Sequence, residues 1–570
     1  MSRASSILSY AVLLGGVLTI GFALYTVVVS YSCLPYIDQW IEIQFASTGG
    51  NLLSPTWLWE RWLEHRLVIP KLFLAADLRL FKGRQIFLLC SIFGIQLLHL
   101  TLLSWSTRVL GGWRAALWRT GTGLAAFCLF CPTQWQNFIW GFQVCFVLPQ
   151  LLATASFVAL LLYWTKSEQH PEKSWVGFLV LSMLSALGAT CSLASGNLLW
   201  PILILAAIYL HLRRGVVLSF VLVGVISTGL YSYHFVRPGH HPRPITSNMV
   251  APLRLLRFCA EYLFGAWVHR GVYVTTLIVL AGLALAVVVL FPALAYIRNF
   301  RLFGTQLVLM MMFWGATAMI TAAGRAHFGT WAANLSRYQT VVLLFWCAVG
   351  LLLLGASFYS SGRMRYGFLV AQVCLLAIFL RGAATASHPI RQARQHGFAL
   401  NAAGASLLTG VYDPVQLNKP WPYALDSLLS WARYLEANDL SVFAGTARLE
   451  LGKPLEDVFP VTSSGDCTGA VESVAPIVEP RGPGLRVAGW AWDVKHQRPP
   501  SAIVVTTNGI ITGIGAVGGW RPGVAPLQPR ISSGYIEYIA YHPQIRGITI
   551  INLFAILHGS PPTACRFAME

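Results

Sequence analysis

Two carboxylates open the first polar loop of this chain, in the segment CLPYIDQWIEIQFASTGG of residues 33–50. Asp38 and Glu42 are four residues apart, so on a helix they would lie on one face. A carboxylate in such a place can accept the proton of an attacking hydroxyl as a general base. Repulsion at this spacing costs only about 0.2–0.5 kcal/mol, which a substrate or a divalent cation between the two acids would offset. The alternative is that Asp38 caps the end of the preceding apolar run.

Acidic, basic and amide side chains recur in later short motifs. They are Glu60, Glu64, His65 and Arg66 in WERWLEHR, Gln136 and Asn137 in TQWQNFIWGFQ, Asn197 in ASGN, Arg325 and His327 in GRAHFG, and Arg337 and Tyr338 in NLSRYQT. An arginine presents a fixed fork of donors that matches phosphate oxygens and stays charged. Single motifs also have structural explanations, such as an ion pair between Arg61 and Glu64. Together they predict a substrate that has a phosphate and an acceptor hydroxyl.

The elements that carry these loops have the composition of a membrane protein. Of the 570 residues, 56% are hydrophobic and only 11% are charged, whereas soluble globular chains have about 25% charged residues. Apolar runs near the roughly 20 residues that cross a bilayer recur along the chain. They predict a mainly α-helical polytopic membrane protein of about eleven transmembrane helices, at residues 7–31, 86–107, 115–131, 143–164, 175–193, 198–211, 216–236, 272–297, 303–323, 338–359 and 365–381.

The distribution of lysine and arginine predicts the orientation of these spans. One alternate set of loops is short and basic, with Arg3, then Arg108, Arg114 and Arg119, Lys166 and Lys173, Arg213 and Arg214, Arg298 and Arg301, and Arg363 and Arg365. Because cytoplasmic loops carry the excess of basic residues, this set is assigned to the cytoplasm. The loops with the candidate residues then lie outside. Segment 67–81, LVIPKLFLAADLRLF, is too polar to span and is predicted to be an amphipathic helix at the outer interface.

The character of the sequence changes after the last predicted span. Short alternating runs punctuated by Gly, Pro and Asn-Gly predict a small extracytoplasmic β-sandwich-like domain. Cys467 and Cys565 lie at its two ends, which outside the cytoplasm predicts a disulfide bond. The predicted organisation is a transmembrane catalytic domain at 1–381, an extracytoplasmic helical segment at 382–465 and the β domain at 466–570.

On the basis of these motifs and the predicted topology, residues 1–445 resemble the GT-C class of glycosyltransferases. Enzymes of this class use polyprenyl-phosphate sugars at the outer face of the membrane. The motifs DQW, EHR, NFIWGFQ, SGN, GRAHFG, SRY and YLEANDLSVF resemble bacterial inner-membrane members that build surface glycans. The resemblance implies that Asp38 and Glu64 are catalytic and that phosphate binds to Arg66, Arg325 and Arg337. The shared position of the polar loops on the outer side predicts further substrate contacts from Glu42, His65, Gln136, Asn137, Asn197, His327 and Tyr338. Many relatives have Asp-x-Asp or Asp-Glu in the first loop, whereas here Gln39 follows Asp38.

The implied reaction is sugar transfer from a polyprenyl-phosphate donor to a surface glycan or lipid-linked acceptor at the bacterial cytoplasmic membrane. A net charge of +19, from 40 basic and 21 acidic residues, suits anionic lipid and phosphate and does not indicate nucleic acid. No metal or cofactor motif occurs, which leaves a divalent cation as an option only. Two alternatives are a transporter or flippase of lipid-linked glycan, and a non-catalytic membrane protein whose β domain binds glycan.

Overall fold

The computed structural model describes residues 3–112, 114–235, 250–264, 300–384, 387–521, 535–544 and 551–567. Within these residues, six helices are long and apolar enough to cross a membrane: Ser6–Val29, Ile86–Val109, Gly141–Gln169, Arg214–Ser232, Arg301–Phe328 and Ser336–Tyr359. Each overlaps one of the eleven predicted spans. These six predictions are therefore confirmed as long apolar helices.

The other five predicted spans differ. Three of them form the shorter helices Ala115–Leu129, Val176–Thr190 and Leu199–Tyr209. A helix of 15 residues is about 22 Å long, less than the roughly 30 Å of a hydrocarbon core. The run 365–381 lies within the helix Gly362–Ala384, and the run 272–297 lies outside the described residues. Eleven full-length spans are thus not confirmed.

Shorter elements connect and cover the long helices. The remaining α-helices are Trp40–Ser47, Pro55–Trp59, Val68–Leu80, Trp135–Ile139, Val250–Phe264, Ser387–Leu408, Pro414–Leu417, Leu425–Ala437, Thr446–Glu450 and Leu455–Val458. Single 3-10 turns are Ile37–Gln39, Pro132–Gln134, Gly141–Gln143, Ala194–Leu198, Ala326–Phe328, Thr330–Asn334, Ser336–Tyr338 and Ser441–Ala444. Most predicted site residues fall on these turns and on the short helices next to them, whereas His65 and Arg66 lie in a short hairpin and Arg325 ends a long helix.

Small residues let the helices of the bundle pack closely. A Cβ atom on Gly123 would come within 2.4 Å of the Val12 carbonyl oxygen, and one on Gly16 within 2.6 Å of the Gly123 oxygen. Glycine at a crossing point allows such close backbone contact. The outward surface of the bundle exposes large apolar side chains, for example Leu18 at 64% and Leu222 at 61%. Extended apolar surface of this kind marks a membrane or protein contact.

The described residues of the last part of the chain form one eight-stranded sheet in the order β3-β10-β9-β6-β7-β8-β5-β4. Its strands are β3 Val461–Thr462, β4 Cys467–Ile477, β5 Gly484–Asp493, β6 Ala502–Thr507, β7 Ile510–Gly519, β8 Glu537–Pro543, β9 Ile551–Leu557 and β10 Thr563–Arg566; a separate hairpin pairs β1 Arg61–Trp62 with β2 His65–Arg66. The neighbours in the large sheet are antiparallel except for β10 and β3, which are parallel.

This sheet departs from the predicted sandwich. Cys467 and Cys565 form a disulfide with their Cα atoms 6.1 Å apart, although β4 and β10 lie at or next to opposite ends of the strand order. The sheet therefore curves round into a half-barrel. Its outer side packs on the helix Ser387–Leu408 through contacts such as those of Ala402 with Tyr541. Within the described residues, a helix thus takes the place of the second sheet of a sandwich.

The segment around Asp38 is clamped between the bundle and the helices after residue 387. The Ile37 amide donates to the Pro420 carbonyl at 2.9 Å. The fully buried Trp40 stacks on Trp431 with ring centroids 6.1 Å apart. A loop fixed from both sides holds its side chains in defined positions, which a catalytic site requires.

Candidate functional site

Asp38 lies in the 3-10 turn Ile37–Gln39, which leads directly into the helix Trp40–Ser47. Its Oδ1 accepts a hydrogen bond from Trp62 Nε1 at 3.3 Å. Burial raises the pKa of Asp38, the positive charges of Arg337 and Arg325 lower it, and the negative charge of Glu64 raises it. Asp38 is thus a partly buried carboxyl group within the field of two arginines. A raised pKa brings a carboxylate closer to the range of an effective general base.

Arg325 and Glu64 form an ion pair beside Asp38. Arg325 Nη2 lies 2.6 Å from Glu64 Oε1, and each side chain is 23% exposed. His65 Nε2 lies 3.5 Å from the same oxygen. Arg61, the alternative partner of Glu64, donates to the Tyr231 carbonyl at 2.6 Å. Glu64 therefore holds one of the two arginines next to Asp38.

Although its charge acts on Asp38, Arg337 forms no close ion pair in the described part of the chain. Its Nε is buried and has no hydrogen-bond partner there. Its backbone, by contrast, is fixed: the Arg337 amide donates to Gln136 Oε1 at 3.2 Å, and Asn137 Nδ2 donates to the Arg337 carbonyl at 3.1 Å. Gln136 and Asn137 were predicted to bind substrate. In the structure they brace the turn Ser336–Tyr338 that carries Arg337.

A cavity of about 350 Å³ opens on the other side of Asp38. It is lined by Asp38, Ile41, Glu42, Gln44, Phe45, Thr48, Trp57, Glu60, Arg61, Trp62, Leu67, Lys71, Leu74 and Phe142. Asp38 and Glu42 therefore share one wall, as their spacing predicts. Arg325, Arg337 and Glu64 do not line this cavity. Asp38 is the residue that connects the cavity to the arginines.

The charged groups of the cavity wall are strongly affected by burial. Burial raises the pKa of Glu42 well above its usual range, and the charge of Lys71 offsets only part of this effect. Burial lowers the pKa of Lys71 to about 8, while Lys71 Nζ donates to the carbonyls of Trp57 at 2.6 Å and Glu60 at 2.8 Å. Burial thus favours the protonated form of Glu42, while Lys71 is a cation engaged by the backbone.

Arg66 has a different environment from the one predicted. Its Nε donates to the Tyr231 carbonyl at 2.9 Å, its Nη2 to the Tyr233 carbonyl at 2.6 Å, and its Nη1 to the Trp59 carbonyl. Its guanidinium also lies over the Trp59 ring at 4.8 Å. All three of its nitrogens are therefore used by the protein itself. This arrangement does not favour the predicted phosphate contact.

Three further predicted contacts are placed as follows. Asn197 Nδ2 donates to the nearby Ala194 carbonyl at 3.2 Å. The buried Tyr338 packs against Tyr262 with ring centroids 5.5 Å apart. His327 packs against its neighbour Phe328 at 3.9 Å. None of these contacts brings the side chain to the cavity wall.

The sequence analysis missed Trp62 and Lys71. The helix Val68–Leu80 was predicted to lie at the outer interface, yet it turns Lys71 inward to 4% exposure and Asp77 to 3%. The one signal in the sequence was that this segment is basic although it was predicted to lie outside the cytoplasm, where lysine and arginine are less common. A lysine that breaks this pattern is a candidate for burial at a site.

The acids that line the cavity and could contact a metal ion are Asp38, Glu42 and Glu60. Among the described residues there is no group of three or more His, Cys, Asp or Glu side chains that could hold such an ion. No protein-family model, no curated protein and no solved structure matches this chain. The function therefore has to be inferred from the site itself.

Proposed function

We propose that this chain is a membrane glycosyltransferase, which moves a sugar from a polyprenyl-phosphate donor to a hydroxyl of a glycan or lipid-linked acceptor at the outer face of the cytoplasmic membrane. The observation that carries the proposal is the position of Asp38. This carboxylate lies in the cavity wall and also within the field of Arg337 and Arg325. It thus separates a space for a hydroxyl compound from a pair of cations suited to phosphate.

The transfer needs a base, a leaving group and a means of stabilising the leaving group. The acceptor oxygen forms a bond to the anomeric carbon, while the bond from that carbon to the phosphate oxygen breaks. Asp38 takes the proton of the acceptor hydroxyl, and the electron pair of the broken bond leaves with the polyprenyl phosphate. Arg337 stabilises the charge that develops on the phosphate, since its Nε has no protein partner in the described residues.

Glu64 has a supporting role in this mechanism. Its Oε1 is bound to Arg325 at 2.6 Å, so the pair fixes the second arginine at the phosphate side. An acid engaged in this way is a weak base for the acceptor. The proposal therefore assigns proton removal to Asp38 and the positioning of Arg325 to Glu64.

The long apolar helices support a location in the membrane. Six such helices occur among the described residues, and their outward surface is apolar. The polyprenyl chain of the donor would then lie against this surface, and only the phosphate and sugar would need polar contacts. Because only the phosphate and sugar need polar contacts, the polar candidates can be concentrated in the short segments between long helices.

Replacement of Asp38 by asparagine is the direct test. Asp38→Asn keeps an oxygen for the Trp62 hydrogen bond but removes the base, so transfer should fall by about 10²–10⁴-fold. The measurement is sugar transfer from polyprenyl-phosphate donors in membranes with matched protein levels. Asp439→Asn, a change at an acid that is 70% exposed outside the site, is the control.

Two results would count against the proposal. If Asp38→Asn transfers sugar at the wild-type rate, Asp38 has no part in the chemistry. If the wild-type protein moves a lipid-linked glycan across vesicle membranes but transfers no sugar from any donor, the protein is a transporter.

A further inference from the structure

We infer that the cavity beside Asp38 is the acceptor subsite and that it binds an uncharged saccharide, with Trp62 as the platform for the sugar ring and Glu42 as a hydrogen-bonding partner for its hydroxyls. This inference rests on the proposed function for the role of Asp38. Saccharide binding itself requires no donor and can be measured alone.

The two cations of the cavity wall differ in how far the protein uses their donors. Lys71 Nζ donates to two carbonyls and lies 4.1 Å from the centre of the Trp57 ring. Arg61 Nη2 donates to the Tyr231 carbonyl, and its guanidinium lies over the Phe235 ring at 4.8 Å. Arg61 Nε and Nη1 are buried without a hydrogen-bond partner in the described residues, and such donors also suit sugar hydroxyls. An anionic acceptor would be repelled by Asp38, which must be ionised to act as a base.

Glu42 is a carboxyl group of the cavity wall that lacks a hydrogen-bonding partner. Its side chain faces the cavity at 8% exposure, and within the described residues it makes no hydrogen bond or ion pair. Buried polar groups are almost always hydrogen-bonded in native proteins, so a ligand is the natural partner. A carboxyl group accepts hydrogen bonds, and its protonated form also donates one. A sugar hydroxyl, which also donates and accepts, matches it.

Trp62 is the ring best placed for the sugar. The other cavity tryptophan, Trp57, is covered on one face by Phe45, at 4.0 Å and nearly parallel, and on the other by Lys71. Trp62 is partly exposed; it packs against the apolar cluster of Leu67, Trp140 and Phe142, but no aromatic ring of the described residues stacks on its face. Its Nε1 is bound to Asp38, which fixes the indole relative to the base. A sugar ring lying on Trp62 would therefore present a hydroxyl near Asp38.

The test is equilibrium binding of saccharides to the full-length protein in lipid nanodiscs without donor. The probes are the methyl glycosides of glucose, galactose, mannose and rhamnose, together with glucuronic acid and glucosamine as charged counterparts. We expect at least one uncharged glycoside to bind more tightly than both charged sugars. Trp62→Ala and Glu42→Ala should each weaken this binding at least tenfold, whereas Glu42→Gln, which keeps a donor and an acceptor, should stay within threefold. Trp331→Ala, a change at a tryptophan that is 65% exposed and outside the cavity, is the control.

The outcomes separate the subsite from the overall function. Binding of an uncharged glycoside that depends on Trp62, in a protein that transfers no sugar, would support the subsite and reject the transferase. Transfer with an unchanged acceptor KM in a folded Trp62→Ala variant would support the transferase and reject the subsite. Preference for glucuronic acid or glucosamine, or binding of no probe to the wild type, would also overturn the inference. Thermal unfolding of each variant shows whether a loss of binding comes from a loss of folding.

Discussion

The two sides of Asp38 use positive charge in opposite ways. On the cavity side, Lys71 and Arg61 donate to backbone carbonyls and lie against aromatic rings. On the turn side, Arg325 is paired with Glu64, and Arg337 has a buried Nε without a partner in the described residues. The cavity wall has the acids Asp38, Glu42 and Glu60 beside its two bases, whereas the described part of the turn side has two arginines and the single acid Glu64. The number of basic residues near a site is therefore a poor guide to its ligand, because the neighbouring acids and the partners of each donor also decide what binds.

Arg66 and Arg337 show the same contrast between two residues of one type. Both were predicted to bind phosphate. Arg66 donates from three nitrogens to three carbonyls, whereas the hydrogen bonds that fix Arg337 come from its backbone. A backbone that is held while the guanidinium remains available is the arrangement expected of a ligand-binding arginine.

Among the substitutions that test this comparison, Arg337→Gln should have the largest effect on the rate of transfer. Loss of a donor that stabilises developing charge costs about 10²–10³-fold in kcat. Because the charge of Arg337 also lowers the pKa of Asp38, its removal should raise that pKa and move the acid limb of the rate profile to higher pH. Steady-state transfer rates measured as a function of pH would show both changes.

Arg448→Gln is the matched control for this substitution, since Arg448 forms ion pairs with Glu436 and Asp439 away from the site. It should leave the rate and the pH profile unchanged. If Arg337→Gln behaves like Arg448→Gln, the turn side of Asp38 does not bind the leaving phosphate.

Local patterns in the sequence were sufficient for part of this picture. Hydropathy located six long apolar helices, and the i, i+4 spacing placed Asp38 and Glu42 on one cavity wall. The positions of the strand-like runs located the β domain and the two cysteines that bracket it. Each of these features depends on residues that are close in sequence or on the composition of one segment.

The rest depends on contacts between distant segments. The side-chain donors of Arg66 are occupied in part by carbonyls about 165 residues further along the chain. No local sequence pattern reveals such a contact. Lys71 lies on a helix whose apolar pattern suits a membrane interface equally well, and only packing turns it into the cavity. The closure of the sheet into a half-barrel likewise depends on how strands at opposite ends of the order meet. Pairing across such distances cannot be deduced from one sequence.

Glu64→Gln should have a smaller effect, and one of opposite sign on the pH profile. The negative charge of Glu64 raises the pKa of Asp38, so its removal should lower that pKa and move the acid limb to lower pH. Gln retains an oxygen for Arg325, so the rate at neutral pH should fall by only about threefold, consistent with the loss of about 0.6 kcal/mol. The acid limb should therefore move in opposite directions in Arg337→Gln and Glu64→Gln. Because the donor and acceptor substrates titrate identically with both variants, this difference would come from the protein. Shifts of the same sign would exclude Asp38 as the titrating group.

The smallest effect on transfer should come from Arg66→Lys. Lysine keeps the positive charge but cannot reproduce a planar fork that reaches three carbonyls, so we expect a loss of about 1–3 kcal/mol in the free energy of unfolding. The rate per folded molecule and the donor KM should remain within about twofold of the wild type, since this charge is engaged by the backbone. Thermal unfolding and transfer kinetics on the same preparation separate the two quantities. If the donor KM rises with Arg66→Lys as much as with Arg337→Gln, then proximity of charge, and not the availability of donors, governs recognition of the phosphate, and the distinction between the two sides of Asp38 fails.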